Sequence, residues 1–226
     1  MDVNARPNRT ALLAGATGAV GRALLELLLQ DPGYGRVVVL ARRPTERQHD
    51  KLDWRVIDFD QLEEGVAGIE VHDVFCTLGT TMKQAGSKQA FRNVDFDYVL
   101  ALARAGRAVG AQCFVLNSSV GADPKGSSFY LRVKGEAEVA VGALGYASVS
   151  WVRPSLLLAE RKERRWGEEA AAAVLPALSG LLRGGLTRYR PVPAQTVARV
   201  MVGAAHAHRP GAHAVEWADF DSLADE

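Results

Sequence analysis

At 226 residues the chain is long enough for one well-buried α/β domain and short for two. A formal net charge of +1, with basic residues that are mostly Arg (21 against 6 Lys), sets up no field that would recruit nucleic acid or an anionic membrane surface. The first residues lack the charged and apolar regions of a secretory signal, and the longest apolar stretch, Ala170–Leu182, is too short to span a bilayer and contains Pro176. These features set the expectation of a cytoplasmic protein with no membrane and no nucleic-acid partner; they leave the oligomeric state open.

Thr10–Ala14 reads as a short apolar strand, followed by a glycine loop and a Leu-rich helix over Ala19–Gln30 that Asp31-Pro-Gly-Tyr-Gly stops. Arg36–Ala41 is a continuous β-branched run, and its lack of alternation suits a parallel strand buried on both faces. Asp53–Phe59 and Asp73–Leu78 read as the third and fourth strands. Ser87–Val109 reads as a long amphipathic helix with Phe91, Val94, Val99 and Leu102 among its apolar positions. Gln112–Asn117 is a fifth strand, Tyr130–Leu144 another helix, and Ser148–Val152 a sixth strand ended by Arg153-Pro154. Beyond it come a charged stretch (160–169), an apolar one (170–182) and a loop-like one (183–193). A helix over Val192–Ala207, a short last strand near Ala214–Trp217 and an acidic tail, Ala218–Glu226, expected to fray, complete the chain. This alternation predicts an α/β fold: a doubly wound parallel sheet of the NAD(P)-binding Rossmann kind. Residues 1–226 are expected to form one domain, with 155–191 a small substrate-side or lid segment within it.

The loop Gly15-Ala-Thr-Gly18-Ala-Val-Gly21 follows a strand and opens a helix inside a β-α-β unit. Glycines let the backbone turn tightly and approach a diphosphate, and the helix start offers free N–H groups and partial positive charge. Gly15, Thr17, Gly18, Ala19, Val20 and Gly21 are therefore candidate dinucleotide ligands. At the end of the second strand, where an acidic residue would favour NAD, stand Ala41-Arg42-Arg43. Two guanidinium groups there suit a 2′-phosphate and favour NADP(H); the plainer alternative is a pair of solvated charges on a surface turn. Asp58-Phe59 after the third strand is placed to meet the adenine edge, and Thr77-Leu78-Gly79 after the fourth to pass beneath the ribose.

Tyr130 and Lys134, four apart on a predicted helix, share a face. An ammonium one turn away favours phenolate over phenol, which suits a proton donor for carbonyl reduction. The same lysine could hold the nicotinamide ribose. Ser119 ends the fifth strand and can donate a hydrogen bond to a substrate oxygen as charge develops there. Chance spacing produces Tyr-x-x-x-Lys pairs too, and a surface i,i+4 pair is the plain alternative; the preceding Asn117-Ser118-Ser119 is what strengthens the pair. No metal site is expected. Cys76 and Cys113 fall in predicted strands as small buried thiols, and His206, His208 and His213 have no acidic or cysteine partner at helical spacing.

The arrangement resembles the short-chain dehydrogenase/reductase superfamily, in its atypical branch. Phe75-Cys-Thr-Leu-Gly-Thr-Thr, Val94-Asp-x-Asp-Tyr-Val, Ser118-Ser-Val-Gly-Ala-Asp, Tyr130-Leu-x-Val-Lys-Gly-Glu and Arg153-Pro resemble the Tat-interacting-protein-type oxidoreductases, over about Thr10 to Arg199. The resemblance implies an NADP(H)-binding Rossmann domain with a Ser-Tyr-Lys triad, in which Ser119 and not Ser118 is catalytic and Pro154-Ser155 touches the nicotinamide end. Asn93 lies on the helix where classical members carry a fourth catalytic residue, and its role stays open. So does that of a protein partner, with which a founding relative is associated. The expectation is an NADP(H)-dependent oxidoreductase acting on a small carbonyl or alcohol. The alternatives are an NADP(H)-sensing, protein-binding module without turnover, and an epimerase or dehydratase with a tightly held cofactor.

Overall fold

A computed structural model describes residues 9–155, 157–158 and 191–224. In chain order the strands are β1 (Arg9–Ala14), β2 (Tyr34–Ala41), β3 (Leu52–Val56), β4 (Asp73–Cys76), β5 (Cys113–Asn117), β6 (Ser148–Val152), β7 (Leu157–Leu158), β8 (Val192–Pro193) and β9 (Gly211–Val215). The helices are α1 (Ala19–Gln30), α2 (Leu62–Gly65), α3 (Met82–Ala85), α4 (Lys88–Arg92), α5 (Tyr98–Ala108), α6 (Phe129–Gly142), α7 (Ala194–Ala207) and α8 (Trp217–Ala224). Seven strands form one parallel sheet in the order β3-β2-β1-β4-β5-β6-β9, and β7 and β8 pair separately. This is the expected doubly wound parallel architecture.

Successive strand residues point to opposite faces. Leu13, Val37, Val39, Phe75 and Val115 join Leu24 and Leu28 of α1 and Val197 and Met201 of α7 in one core. Leu12, Val38, Leu40, Val74, Phe114 and Leu116 join Leu102 of α5 and Val141 of α6 in the other. Burying each such side chain is worth about 1.5–3 kcal/mol, so a run such as Val37-Val38-Val39-Leu40 is apolar at every position because helices cover both faces. Strand order reverses between β1 and β4. That switch point, at the carboxyl ends of the strands, is where an open α/β sheet has its ligand crevice.

The structure departs from the sequence reading in several places. β3 stops at Val56 because the Asp58 carboxylate accepts the Asp60 N–H and starts a 3₁₀ turn over Phe59–Gln61. The long helix begins as α4, passes through a π turn at Asn93–Asp97, and continues as α5. The last strand is β9, ahead of Trp217. The tail expected to fray forms α8, with Phe220 2% exposed. Its signal, Trp217-x-x-Phe220-x-x-Leu223 behind an Asp219 carboxylate that accepts the Glu216 N–H, is present in the sequence. The segment 155–191 lies, but for Ser155, Leu157, Leu158 and Pro191, outside the described residues.

Candidate functional site

The glycine loop is built on two close approaches. Gly15 has φ +94°, and a Cβ there would lie 2.6 Å from the Thr77 carbonyl carbon. Thr77 in turn is clamped to the end of β1, its N–H and Oγ1 both donating to the Ala14 carbonyl at 2.9 and 3.1 Å. A Cβ on Gly21 would lie 2.1 Å from the Gly15 oxygen, so Gly21 lets α1 sit against the turn. Gly18 is different. A Cβ there would meet nothing nearer than the Gly15 oxygen at 3.4 Å, although Gly18 is the N-cap of α1. α1 has no side-chain cap and no acidic residue in its first turn, so its leading N–H groups are open to an anion. An uncapped helix start behind a glycine that internal packing does not require fits a dinucleotide diphosphate.

Beyond Thr77 the chain reaches Gly79, where a Cβ would lie 3.4 Å from Asp95 Oδ1 and 3.5 Å from Lys134 Nζ. The segment after β4 thus links the glycine loop to α6. Lys134 is 5% exposed, and its Nζ is 2.8 Å from Asp95 Oδ1. Opposite charges hold that contact. Asp95 is 1% exposed, lies in the π turn, and accepts the Thr80 N–H on Oδ2 at 2.9 Å. Burial pulls the Lys134 ammonium toward losing its proton. The Asp95 carboxylate is the largest influence acting the other way, and the Lys134 pKa is raised. Asn93, the open candidate on this segment, is half-buried at the start of the π turn, and its carbonyl accepts the Tyr98 N–H. Asp95 is a site residue that the sequence reading assigned no role, although it stands in the Val94-Asp-x-Asp-Tyr-Val motif.

Tyr130, one turn before Lys134, is 37% exposed and packs its ring against Phe91 at 5.7 Å between centroids. The two serines after β5 divide. The Ser118 hydroxyl donates to Glu138 Oε1 at 2.6 Å and is buried, whereas among the described residues the Ser119 hydroxyl meets the neighbouring Val120 carbonyl at 3.4 Å. Glu138, buried one turn beyond Lys134, also receives Arg153 Nε and Nη2 at 3.0 and 2.6 Å, and Arg153 reaches Glu216 at 3.2 Å. The Glu138 hydrogen bonds raise the Arg153 pKa. The short Ser119–Tyr130 interval doubles back across α6 at Gly135, where a Cβ would lie 2.4 Å from Pro124 N. Val120 N donates to the Pro154 carbonyl at 2.9 Å and ties the loops after β5 and β6 together.

Other candidates are placed less fully. Arg42 and Arg43 are exposed after β2 and make no ion pair with the described residues; the Arg43 carbonyl accepts Trp54 Nε1 at 2.9 Å. Asp58 caps its turn, and the Phe59 ring is buried against Tyr98, so this position offers backbone and not ring edge to a ligand. Pro154 is buried and Ser155 half-buried beside the β6 end. The only grouping of three potential metal ligands among the described residues is Asp73, Cys113 and His208, with ligand atoms within 4.8 Å of one another. It lies at the opposite ends of the strands. Asp73 there is already paired with Arg9 and accepts the Tyr34 hydroxyl at 2.7 Å, while burial holds the Cys113 thiol at about 12. The fold brings His208 to an acidic and a cysteine residue that helical spacing could not reveal.

A family profile described as NAD(P)H-binding matches residues 15–208. The chain belongs to this NAD(P)H-binding family. Protein HTATIP2 of Rattus norvegicus is 37% identical over 199 residues, covering 86% of this chain and 80% of its own length. This agrees with the Tat-interacting-protein-type resemblance read from the motifs. Protein FMP52, mitochondrial, of Coccidioides immitis (strain RS) is 30% identical over 208 residues, covering 86% and 85%. Among solved structures, MoeE5 in complex with UDP-glucose and NAD matches with a TM-score of 0.67 at 19% identity, over 95% of this chain and 80% of that one. At that identity the likeness shows the fold alone. The expectation of a cytoplasmic location is overturned, since several fungal members of the family are named mitochondrial.

Proposed function

We propose that this NAD(P)H-binding protein is an NADP(H)-dependent oxidoreductase that moves a hydride to or from a small carbonyl or alcohol substrate. The observation that carries this reading is Lys134, a buried ammonium one helical turn from Tyr130 and against Gly79, at the carboxyl ends of the strands. The loop Gly15–Gly21, with Thr17, Ala19 and Val20 at the start of α1, would hold the diphosphate. Arg42 and Arg43 would hold the 2′-phosphate, Thr77-Leu78-Gly79 would pass beneath the ribose, and Pro154-Ser155 would flank the nicotinamide. The bound dinucleotide supplies the hydride. The Tyr130 hydroxyl gives its proton to the substrate oxygen in reduction and takes it back in oxidation. Ser119, whose hydroxyl is not spent on Glu138, donates a hydrogen bond to that oxygen as negative charge builds. Lys134 stabilises the phenolate that proton donation leaves behind.

Fluorescence titration tests the cofactor assignment: NADPH binds more tightly than NADH, and Arg42→Ala with Arg43→Ala abolishes the preference. Equal affinities in the wild type refute it. A panel of aldehydes and ketones followed by NADPH absorbance tests the chemistry. Turnover that survives Tyr130→Phe unchanged refutes the triad, and NADPH binding without turnover on any substrate moves the protein to the sensing module.

A further inference from the structure

Resting on that reading, we propose that Asp95 is a positioning residue of the site: a buried carboxylate that seats the Lys134 ammonium against Gly79 before any dinucleotide arrives, so that Lys134 meets the ribose charged and already in place. Phe91, Asp95 and Val99, four apart, are all buried, and the π turn between α4 and α5 absorbs the drift that spacing would produce on a regular helix. Asp95 is thus a carboxylate on an apolar stripe. An aliphatic side chain would fill the same position without the cost of removing a charge from water, so stability does not account for it. Its two oxygens are divided between purposes: Oδ2 is anchored by the Thr80 N–H at 2.9 Å, and Oδ1 faces Lys134 Nζ at 2.8 Å.

The groups that surround Lys134 leave this work to Asp95. From β4, Cys76 is a neutral thiol that burial pushes up to about 12. On α6, Tyr130 lies one turn before Lys134, and Glu138 one turn after it is committed to Arg153 and Ser118. A free lysine titrates near about 10.4, and a lysine buried without a counter-charge can fall to about 5–6. Asp95 keeps the ammonium charged at a place where burial alone would discharge it. Removing its charge makes ribose binding depend on pH, with binding lost as pH rises.

The first test is ¹³Cε NMR of lysines in the cofactor-free protein, with Lys134→Arg to assign the resonance. Wild-type Lys134 is expected to titrate above the surface lysines, and Asp95→Asn to bring its midpoint below them. A wild-type Lys134 that titrates with or below the surface lysines overturns the proposal without any Asp95 variant having to fold. The second test is NADPH affinity by fluorescence at about pH 6 and about pH 9. The ratio of Asp95→Asn to wild-type affinity is expected to fall by about tenfold or more across that range, a change that a merely structural role would not produce. A ratio that is the same at both pH values overturns the proposal. A wild type that binds no NADPH at either pH instead fails the oxidoreductase reading, which keeps the two failures apart.

Discussion

Gly18→Ala and Gly21→Ala separate a glycine that packing requires from one it does not. At Gly21 the added Cβ would lie 2.1 Å from the Gly15 oxygen, 2.7 Å from Thr77 Oγ1 and 2.8 Å from the Gly15 carbonyl carbon. Carbon and oxygen settle no closer than about 3.3 Å, so the turn and α1 must part by about an ångström. The obstructing atoms are backbone, and Thr77 is held by its two bonds to Ala14. Overpacking of this kind costs about 1–3 kcal/mol, and the lack of a yielding side chain puts this case at the upper end. In a domain of this size each kcal/mol moves Tm by about 2–4 °C, so a loss of about 6–12 °C is expected. At Gly18 the nearest atom is 3.4 Å away and φ is −73°, ordinary for alanine. Alanine is a poorer N-cap than glycine but restricts the unfolded chain, so the net change stays within about 1 kcal/mol. Its methyl group instead intrudes where a diphosphate would approach the helix start. NADPH affinity should fall at least about tenfold, equivalent to about 1.4 kcal/mol. Thermal unfolding followed by circular dichroism, and NADPH titration well below both midpoints, read the two effects. A Gly18→Ala protein as unstable as Gly21→Ala, or one that binds NADPH like the wild type, refutes the reasoning.

Gly135→Ala places a Cβ 2.4 Å from Pro124 N, so it should lower Tm and, by pushing the Ser119 loop off α6, reduce turnover more than it reduces NADPH affinity. Arg153→Ala strands the Glu138 carboxylate, whose side chain is 3% exposed, and should cost about 3–5 kcal/mol in urea unfolding; Arg153→Met with Glu138→Gln should recover much of that loss. The His206–Asp31 pair, at 2.8 Å, predicts a pH dependence that Tm measurements can follow. Its hydrogen bond to Asp31 raises the His206 pKa, so that contribution is complete below the unfolded value of about 6.5 and is lost as pH rises through the folded value. The Asp31 carboxyl titrates lower than usual because its bonds to His206 and Gly33 outweigh burial, so its contribution is lost as pH falls below about 3.9. His206→Gln should therefore flatten the decline in Tm between about pH 6 and about pH 9, and an unchanged decline assigns it elsewhere.

The layered architecture is legible in the sequence because burial on both faces leaves a mark at every strand position. Val37 to Leu40 cannot alternate when α1 covers one side and α5 the other. What is not legible depends on single polar atoms. Asp58 ends β3 by accepting one N–H from Asp60, and a run that continues apolar through Phe59 hides this. The π turn at Asn93–Asp97 leaves the hydrophobic pattern of a single helix nearly intact, so the change in which residues face inward is invisible to periodicity. α8 is obscured in another way. Its two acidic residues, Asp219 and Asp221, suggest a solvated tail, yet they sit on the outer face, while Phe220 and Leu223 pack against α7 so closely that a Cβ on Gly203 would lie 2.0 Å from the Leu223 carbonyl oxygen.

The candidate site divides along the same line. Local spacing brings out Gly15–Gly21, Ser118-Ser119 and Tyr130-x-x-x-Lys134, because each motif lies within one loop or one helix turn. Nothing in that spacing says how the glycine loop, some 110 residues before Tyr130, comes to share a site with it. The connection is the segment that follows β4. Thr77 is pinned to Ala14 and fills the space that Gly15 leaves, and two residues later Gly79 covers Asp95 and Lys134. An extended chain spans at most about 3.3–3.6 Å per residue, and those two residues carry the chain from the foot of the glycine loop to the buried ammonium. The call for a carboxylate at Asp95 arises only from this crossing. For that reason Asp95 stands in plain view within a motif whose spacing gives it no role, and acquires one when three separate elements converge on Lys134.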